Sequence, residues 1–435
     1  MIIRTLLEWE SASYGDGPGS VPRWAAERLG RAAAASKLGE QAVELRLHDL
    51  RARHVVGVIA AEGCALEILP KIDFEQNGQD ATRVRDQLVH MLAVAFDLDV
   101  ASGAAASLGT QRENLLEVLI GLFARKLVDA VRQGMPRRYV RQEDDLPTLR
   151  GRLDVRRQFS TLAASPQRLA CRFDEMSPDI ALNQIMKAAV AKLTKLSRST
   201  ANQRVLRELG AVYVDVSAIP SRDLRWDEVV IDRTSERWRE LLRLAQLLLG
   251  ERFQTTSSGG SEGASLLFDM NALFEAYVAR MLARVLAGTS LTVVRQGGGL
   301  FCLRDEAGRS RFQTVPDILV KQGSETVMVI DTKWKRIVDQ ADHDKQGVLQ
   351  ADIYQMMAYA RLHRCSDLVL LYPHHGALRR PSPLQSRHSI APDHVKTLTF
   401  ASVDVTSHRS AQASLMKSLE RLVHRQALHA EAPAA

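Results

Sequence analysis

The sequence predicts a modular α/β protein with a β-rich N-terminal part, a mainly helical middle and an α/β C-terminal domain. Three observations lead there. The chain has 435 residues, more than one compact core usually organises. Its apolar pattern changes period, with strand-length pieces before residue 72, a helical period from Leu115, and alternating helix and strand patterns after residue 266. Between the last two lies a polar, glycine-rich stretch opening Thr-Thr-Ser-Ser-Gly-Gly-Ser-Glu-Gly-Ala, which has the composition of a linker or mobile loop. The predicted divisions are residues 1–110, 111–254, 255–265 (the linker) and 266–435.

In the first part, Val43 to Leu47, Val55 to Ala60 and Ala65 to Leu69 read as strands, and Gly63-Cys64 turns the last two into a hairpin. Gly15-Asp16-Gly17-Pro18-Gly19 has no following Lys-Ser/Thr and reads as a surface turn. In the middle, Leu115, Val118, Leu119, Leu122, Phe123 and Leu127 mark one helical face that Gly134 and Pro136 end. Ser177-Pro178 resembles an N-cap and first helical residue, ahead of Leu182, Ile185, Met186, Ala189, Leu193 and Leu196. Another helix is predicted from Thr234 or Ser235 to Gly250. The C-terminal part predicts helices at 269–287, 349–363 and 411–427. Its strands are predicted at 291–295, 299–304, 311–320, 326–334, 367–372 and 397–405.

A hydrophobic content of 46% with 25% charged residues is that of a folded chain and excludes a disordered one. The net charge of +7, largely from arginine, suits a polyanionic partner, because guanidinium forks match phosphate oxygens. The basic stretch includes Arg137, Arg138, Arg141, Arg150, Arg152, Arg156 and Arg157. Cys64, Cys171, Cys302 and Cys365 lie far apart, without zinc-site spacing, so neither a zinc site nor a disulfide framework is expected. No secretory signal and no membrane-spanning run is visible, and the expected location is cytoplasmic.

The chemistry concentrates in residues 315–333. Val315-Pro316-Asp317-Ile318-Leu319-Val320 leads through a polar turn to Val327-Met328-Val329-Ile330-Asp331-Thr332-Lys333. Asp331 and Lys333 share one strand face, roughly 6.5–7 Å apart along the chain. An antiparallel return places Asp317 beside them, so that two carboxylates and an ammonium converge at the open end of a hairpin. Hard carboxylate ligands suit Mg²⁺ or Mn²⁺, with the Thr332 carbonyl as a further oxygen ligand. Such a cation polarises a phosphoryl group and acidifies the attacking water, while a nearby lysine orients that water or offsets charge in the transition state. Charged residues at the end of the apolar strand Val327–Ile330 are unusual without a role. A preceding helix carries Glu275, a possible additional metal ligand. A following helix carries Gln355 and Tyr359, four apart and therefore on one face, in a supporting role. His374, His375 and His343 are weaker candidates.

The order helix-Glu275, Pro316-Asp317, Asp331-Thr332-Lys333, Gln355 to Tyr359 resembles the PD-(D/E)xK nuclease superfamily, particularly its RecB-like branch. More specifically, the chain resembles the McrC family, the nuclease subunit of the methylcytosine-dependent McrBC restriction system. The strings that carry this resemblance are Leu149-Arg150-Gly151-Arg152-Leu153, Phe173-Asp174-Glu175 leading to Asn183, Phe268-Asp269-Met270-Asn271 through Phe274-Glu275, Pro316-Asp317, and Asp331-Thr332-Lys333-Trp334-Lys335. Together they extend from about residue 50 to 375. The resemblance implies a C-terminal domain with a mixed central sheet flanked by helices, and a Mg²⁺- or Mn²⁺-dependent cleavage of double-stranded DNA. It implies a McrB-like AAA+ GTPase hexamer as partner, with the N-terminal part as the motor-binding adaptor. The chain has no GxxxxGK[ST], so it is expected to bind no nucleotide itself. The alternatives are a stand-alone repair or restriction nuclease and a non-catalytic adaptor regulating an AAA+ motor.

Overall fold

The computed structural model describes all residues except 1, 35, 37, 40–41, 72–80, 99–113, 166, 251–252, 259–260, 338–347, 379–382, 392–394 and 431–435. The chain forms two compact units, one of Met1–Leu115 with Gln254–Ala435 and one of Leu116–Phe253. This differs from the predicted division, because the N-terminal and C-terminal parts fold together.

The N-terminal segment runs β1 (Ile2–Leu7), β2 (Ser11–Ser13), α1 (Arg23–Ala34), β3 (Val43–Leu45), β4 (Asp49–Ala52), β5 (Val55–Ala61), β6 (Cys64–Leu69) and α2 (Ala81–Ala95). The β5–β6 hairpin turns at Gly63 as predicted, and β1 adds parallel to β6. Beneath the sheet, Val55, Ile59, Leu66 and Ile68 pack on Ala25, Ala26 and Leu29 of α1. Neither α1 nor α2 was expected from the sequence. The alanines of α1 make a narrow apolar stripe that the eye does not separate from its arginines.

The second unit holds α3 (Leu115–Arg132), β7 (Arg138–Leu146), β8 (Arg152–Leu153), α4 (Val155–Ser160), β9 (Leu169–Ser177), α5 (Ala181–Leu196), α6 (Thr200–Val212) and α7 (Arg239–Leu249). Helices dominate, but β7, β9 and β8 form a three-stranded sheet that the helical prediction missed. Strand β7 reads Arg-Tyr-Val-Arg-Gln-Glu-Asp-Asp-Leu and is largely exposed, so it carries no apolar alternation to announce it. The predicted cap at Ser177-Pro178 is also displaced. Ser177 ends β9 and its Oγ accepts from the Asp179 N–H at 3.1 Å, while the helix starts at Ala181. The strings Leu149–Leu153 and Phe173–Glu175 meet in this sheet. Gly151, at φ +71°, has no room for a Cβ, which would lie 2.4 Å from the Arg172 carbonyl oxygen. Arg150 spreads over the Phe173 ring and pairs with Glu175, and Arg157 pairs with Asp145 at 2.6 Å. These arginines of the basic stretch are therefore engaged within their own unit.

The remaining elements are β10 (Phe253–Ser258), β11 (Ser261–Asp269), α8 (Met270–Val285), β12 (Leu291–Arg295), β13 (Leu300–Arg304), β14 (Ser310–Thr314), β15 (Ile318–Gln322), β16 (Glu325–Thr332), α9 (Gln350–Leu362), β17 (Asp367–Pro373), β18 (Leu384–Ser389), β19 (Thr397–Val403) and α10 (His408–Ala430). Of the predicted linker at 255–265, the described residues 255–258 and 261–265 are instead strand. Ala264 to Asp269 pair antiparallel with β5, completing the order β1-β6-β5-β11-β10. Gly57 makes that pairing possible, since a Cβ there would sit 1.9 Å from the Leu266 carbonyl oxygen. Loop-like composition hid β11, whose apolar content, Leu266 to Phe268, comes only at its end.

The second large sheet has the order β12-β15-β16-β17-β19-β18. Strands β12, β15 and β16 are antiparallel neighbours, β16, β17 and β19 are parallel, and β18 returns antiparallel at the edge. This is the mixed central sheet that was expected. Leu319, Val329, Leu370 and Phe400 share a core with Met356 and Tyr359 of α9. Helices α8 and α10 pack on each other and on β12 and β19. The single strand expected at 311–320 is two: β14 pairs with β13, and β15 begins after Pro316.

Candidate active site

Pro316 creates the opening on which the site depends. The β15–β16 ladder pairs Ile318 with Ile330, and continuing it sets Asp317 opposite Asp331 and Pro316 opposite Thr332. Proline has no N–H to donate, so the ladder stops there. A side chain replaces it, with Asp317 Oδ2 accepting from the Thr332 N–H at 2.7 Å and the Thr332 hydroxyl at 2.8 Å. On the opposite edge, Lys333 N–H donates to the Leu371 carbonyl, continuing the parallel ladder with β17. Strand geometry therefore turns the Thr332 carbonyl toward the Asp317 edge. The main chain of Asp317 is fixed by Gln296, whose N–H donates to its carbonyl at 2.9 Å.

Asp331 is 1% exposed, and its Oδ2 lies 2.8 Å from Lys333 Nζ. Its Oδ1 has no hydrogen-bond partner among the described residues. Burial pushes the Asp331 carboxyl up to about 6, and the negative Asp317 adds to the shift; the Lys333 hydrogen bond opposes both. Burial pulls the Lys333 ammonium down, but its bond to Asp331 and the charges of Asp331, Asp352 and Asp317 outweigh this and hold it above its ordinary range. Glu275, on α8, is raised by burial and by the charge of Asp317, while Arg295 and Gln296 counteract. Arg295 Nη2 and Gln296 Nε2 hold its carboxylate at 3.2 and 3.4 Å.

These carboxylates destabilise one another's ionised forms in a buried place, and one buried oxygen is left unsatisfied. That is the electrostatic situation a divalent cation relieves, and the oxygen donors are of the hard kind that Mg²⁺ and Mn²⁺ prefer. With Glu275 turned to Arg295, no group of three or more His, Cys, Asp or Glu side chains among the described residues encloses a common point. Asp317 and Asp331, with the Thr332 carbonyl on the same edge, are the hard oxygen donors that the structure brings together.

Gln355 and Tyr359 extend the site. Lys333 Nζ donates to Gln355 Oε1 at 3.3 Å, Gln355 Nε2 donates to the Tyr359 hydroxyl at 2.6 Å, and that hydroxyl donates to the Val315 carbonyl at 3.3 Å. The chain of bonds starts at Asp331 and ends one residue before Pro316, so it ties both halves of the motif together. Asp352 was missed from the sequence. It faces Lys333 Nζ at 3.7 Å and Lys335 Nζ at 3.6 Å. Its position three residues before Gln355, on the same helical face, was the available signal. The histidines do other work. His375 Nε2 bonds the Ile337 carbonyl and His374 Nδ1 bonds Ser402 Oγ, while His343 lies outside the described residues. No helix among the described residues is long and apolar enough to cross a membrane.

Comparisons with known proteins place the chain in a family. The family model described as McrBC 5-methylcytosine restriction system component matches residues 50–373. No curated protein matches the chain. Among solved structures, a chain of the refined half-complex from the tetradecameric assembly of Thermococcus gammatolerans McrB AAA+ hexamers with bound McrC is similar at a TM-score of 0.73 and 22% identity. That match covers 97% of this chain and 100% of the other. A chain of the Thermococcus gammatolerans McrBC complex is similar at a TM-score of 0.54 and 26% identity, covering 66% of this chain and 88% of the other. The McrC resemblance read from the sequence is borne out, and the chain belongs to the McrBC 5-methylcytosine restriction system component family.

Proposed function

We propose that this chain is the nuclease subunit of a McrBC-like, modification-dependent restriction complex, cleaving double-stranded DNA with Mg²⁺ or Mn²⁺ in concert with a McrB-like AAA+ GTPase hexamer. The observation that carries the reading is the buried, incompletely satisfied Asp331 carboxylate beside Asp317 and Lys333, at the edge that Pro316 opens. The family match and the likeness to chains from McrB–McrC assemblies support the partner.

Asp317, Asp331 and the Thr332 carbonyl would hold the cation, with Glu275 available if Arg295 releases it. When bound, the cation supplies Lewis acidity and charge neutralisation at the phosphoryl group. Lys333 keeps its proton, and its ammonium orients the attacking water or offsets charge gathering on the phosphoryl oxygens. Gln355 and Tyr359 hold that ammonium in place. Hydrolysis of GTP belongs to the partner, in keeping with the lack of a GxxxxGK[ST] in this sequence.

The test is plasmid cleavage with Mg²⁺, with and without the AAA+ partner and GTP, beside Asp331→Ala. Cleavage that needs partner and nucleotide and is lost in the variant is the expected result. Cleavage retained by Asp331→Ala overturns the site.

A further inference from the structure

Glu8, Trp9, Lys71, Trp334, Lys335 and Arg336 are among the residues that line a cavity of about 410 Å³. Trp334 and Lys335 directly follow Lys333 in the chain, and Lys335 shares Asp352 with Lys333. One wall of the cavity is therefore the chain that leaves Lys333. The cavity's size is that of a small-molecule site.

Two features of its wall are unusual. Trp9 adopts φ +66°, a left-handed conformation rare for so bulky a residue, and leaves 47% of its surface exposed. Its ring is not loose. His54 stacks on it with centroids 5.9 Å apart and planes 30° apart, and the Arg51 guanidinium lies 5.6 Å from its centroid. A strained backbone thus presents a braced aromatic face instead of burying it. The second feature is Glu8, which is buried and accepts through Oε2 from Trp334 Nε1–H at 2.9 Å and Lys71 N–H at 3.2 Å. One carboxylate therefore joins the Trp9 turn, the end of β6 and the chain leaving β16. Trp334 is held further by the Asn271 side chain, which accepts from its N–H at 3.3 Å, and by the edge of Phe274.

We propose that this cavity receives a nucleotide of the DNA strand adjoining the scissile phosphate, with its phosphate among Lys71, Lys335 and Arg336 and its base or sugar against Trp9. The proposal rests on the nuclease reading above. Aromatic faces beside cations are the sequence-tolerant way to hold a strand, since every base has a face to stack and every linkage a charge to neutralise. The site would position the strand over the carboxylates without selecting a sequence.

The test is binding of fluorescein-labelled DNA, single-stranded and duplex, to the full chain, followed by anisotropy with Ca²⁺ replacing Mg²⁺. Trp9→Ala is expected to weaken binding about 5- to 150-fold, the range for loss of one stacked base, and Trp9→Phe to retain it. Trp9→Leu keeps bulk without aromaticity and serves if the alanine variant does not fold. Lys335→Ala with Arg336→Ala is expected to flatten the salt dependence by roughly two phosphate contacts. The proposal is overturned if the wild type binds neither DNA, if Trp9→Ala or Trp9→Leu binds as tightly as wild type, or if Trp9→Phe loses as much as Trp9→Ala. Binding is read without cleavage, so the two readings fail separately. Trp9-dependent binding by a chain that never cuts retains the subsite and removes the nuclease. Cleavage that needs Asp331, with binding indifferent to Trp9, does the reverse.

Discussion

Glu67 in the N-terminal sheet and Asp331 in the C-terminal sheet are both buried carboxylates that face a cation, and the structure treats them differently. Glu67 receives Arg85 bidentately at 2.8 and 2.7 Å, the Thr5 hydroxyl at 3.1 Å and the Leu115 N–H at 2.8 Å. Both its oxygens are satisfied. Asp331 has Lys333 on one oxygen and no partner for the other among the described residues, and Asp317 sits close enough to oppose its ionisation. A carboxylate that stabilises a fold is saturated by fixed donors. One reserved for an exchangeable ligand must stay unsaturated, at a cost to the fold.

The sharpest way to break this contrast is to remove each carboxylate in turn. Asp331→Ala should lower DNA cleavage by the assembled complex by about 10³-fold or more, several kcal/mol of transition-state stabilisation. In metal-free protein, Asp331→Asn should keep or gain stability, by about 1 kcal/mol, because it removes a poorly compensated charge. Glu67→Ala should do the opposite, losing about 3–5 kcal/mol in thermal or denaturant unfolding by stranding the Arg85 guanidinium. Equal destabilisation by the two substitutions would erase the distinction.

A third buried carboxylate lies between these extremes. Glu8 is pushed up to about 7, chiefly by burial, with the Trp334 and Lys71 bonds opposing. Its ordinary value is 4.5, so the folded state holds the proton more tightly than the unfolded chain. Its contribution is fully present below pH 4.5 and is lost as pH rises through about 7, roughly 3 kcal/mol in all. Unfolding measured across that window should show the loss, and Glu8→Gln should flatten it. A smaller loss of cleavage than at Asp331 is expected at Gln355, which touches the chemistry only through Lys333. Gln355→Ala should lower cleavage about 10- to 100-fold without altering partner binding.

How much of this was legible in the sequence depended on whether local chemistry or distant pairing decided the outcome. The Asp317–Asp331–Lys333 convergence could be read because Pro316, the strand period and the turn at 321–325 are all local, and the structure brings these residues together. Gln355 and Tyr359 followed from a four-residue helical spacing. The joining of the two ends of the chain could not be read, since β11 pairs with β5 across more than two hundred residues and announces itself only through Gly57. The sheet of β7, β9 and β8 was hidden because β7 is largely exposed and charged. The Glu8–Trp334 bond joins positions that no period relates.

The most direct measurement is Mn²⁺ binding to the full chain on duplex DNA, followed by electron paramagnetic resonance in wild type and Asp331→Asn. The account predicts bound Mn²⁺ in the wild type, displaced by Mg²⁺, and its loss in the variant. Mn²⁺ bound equally by both proteins, or by neither, would contradict the claim that Asp331 is left unsaturated to hold a metal.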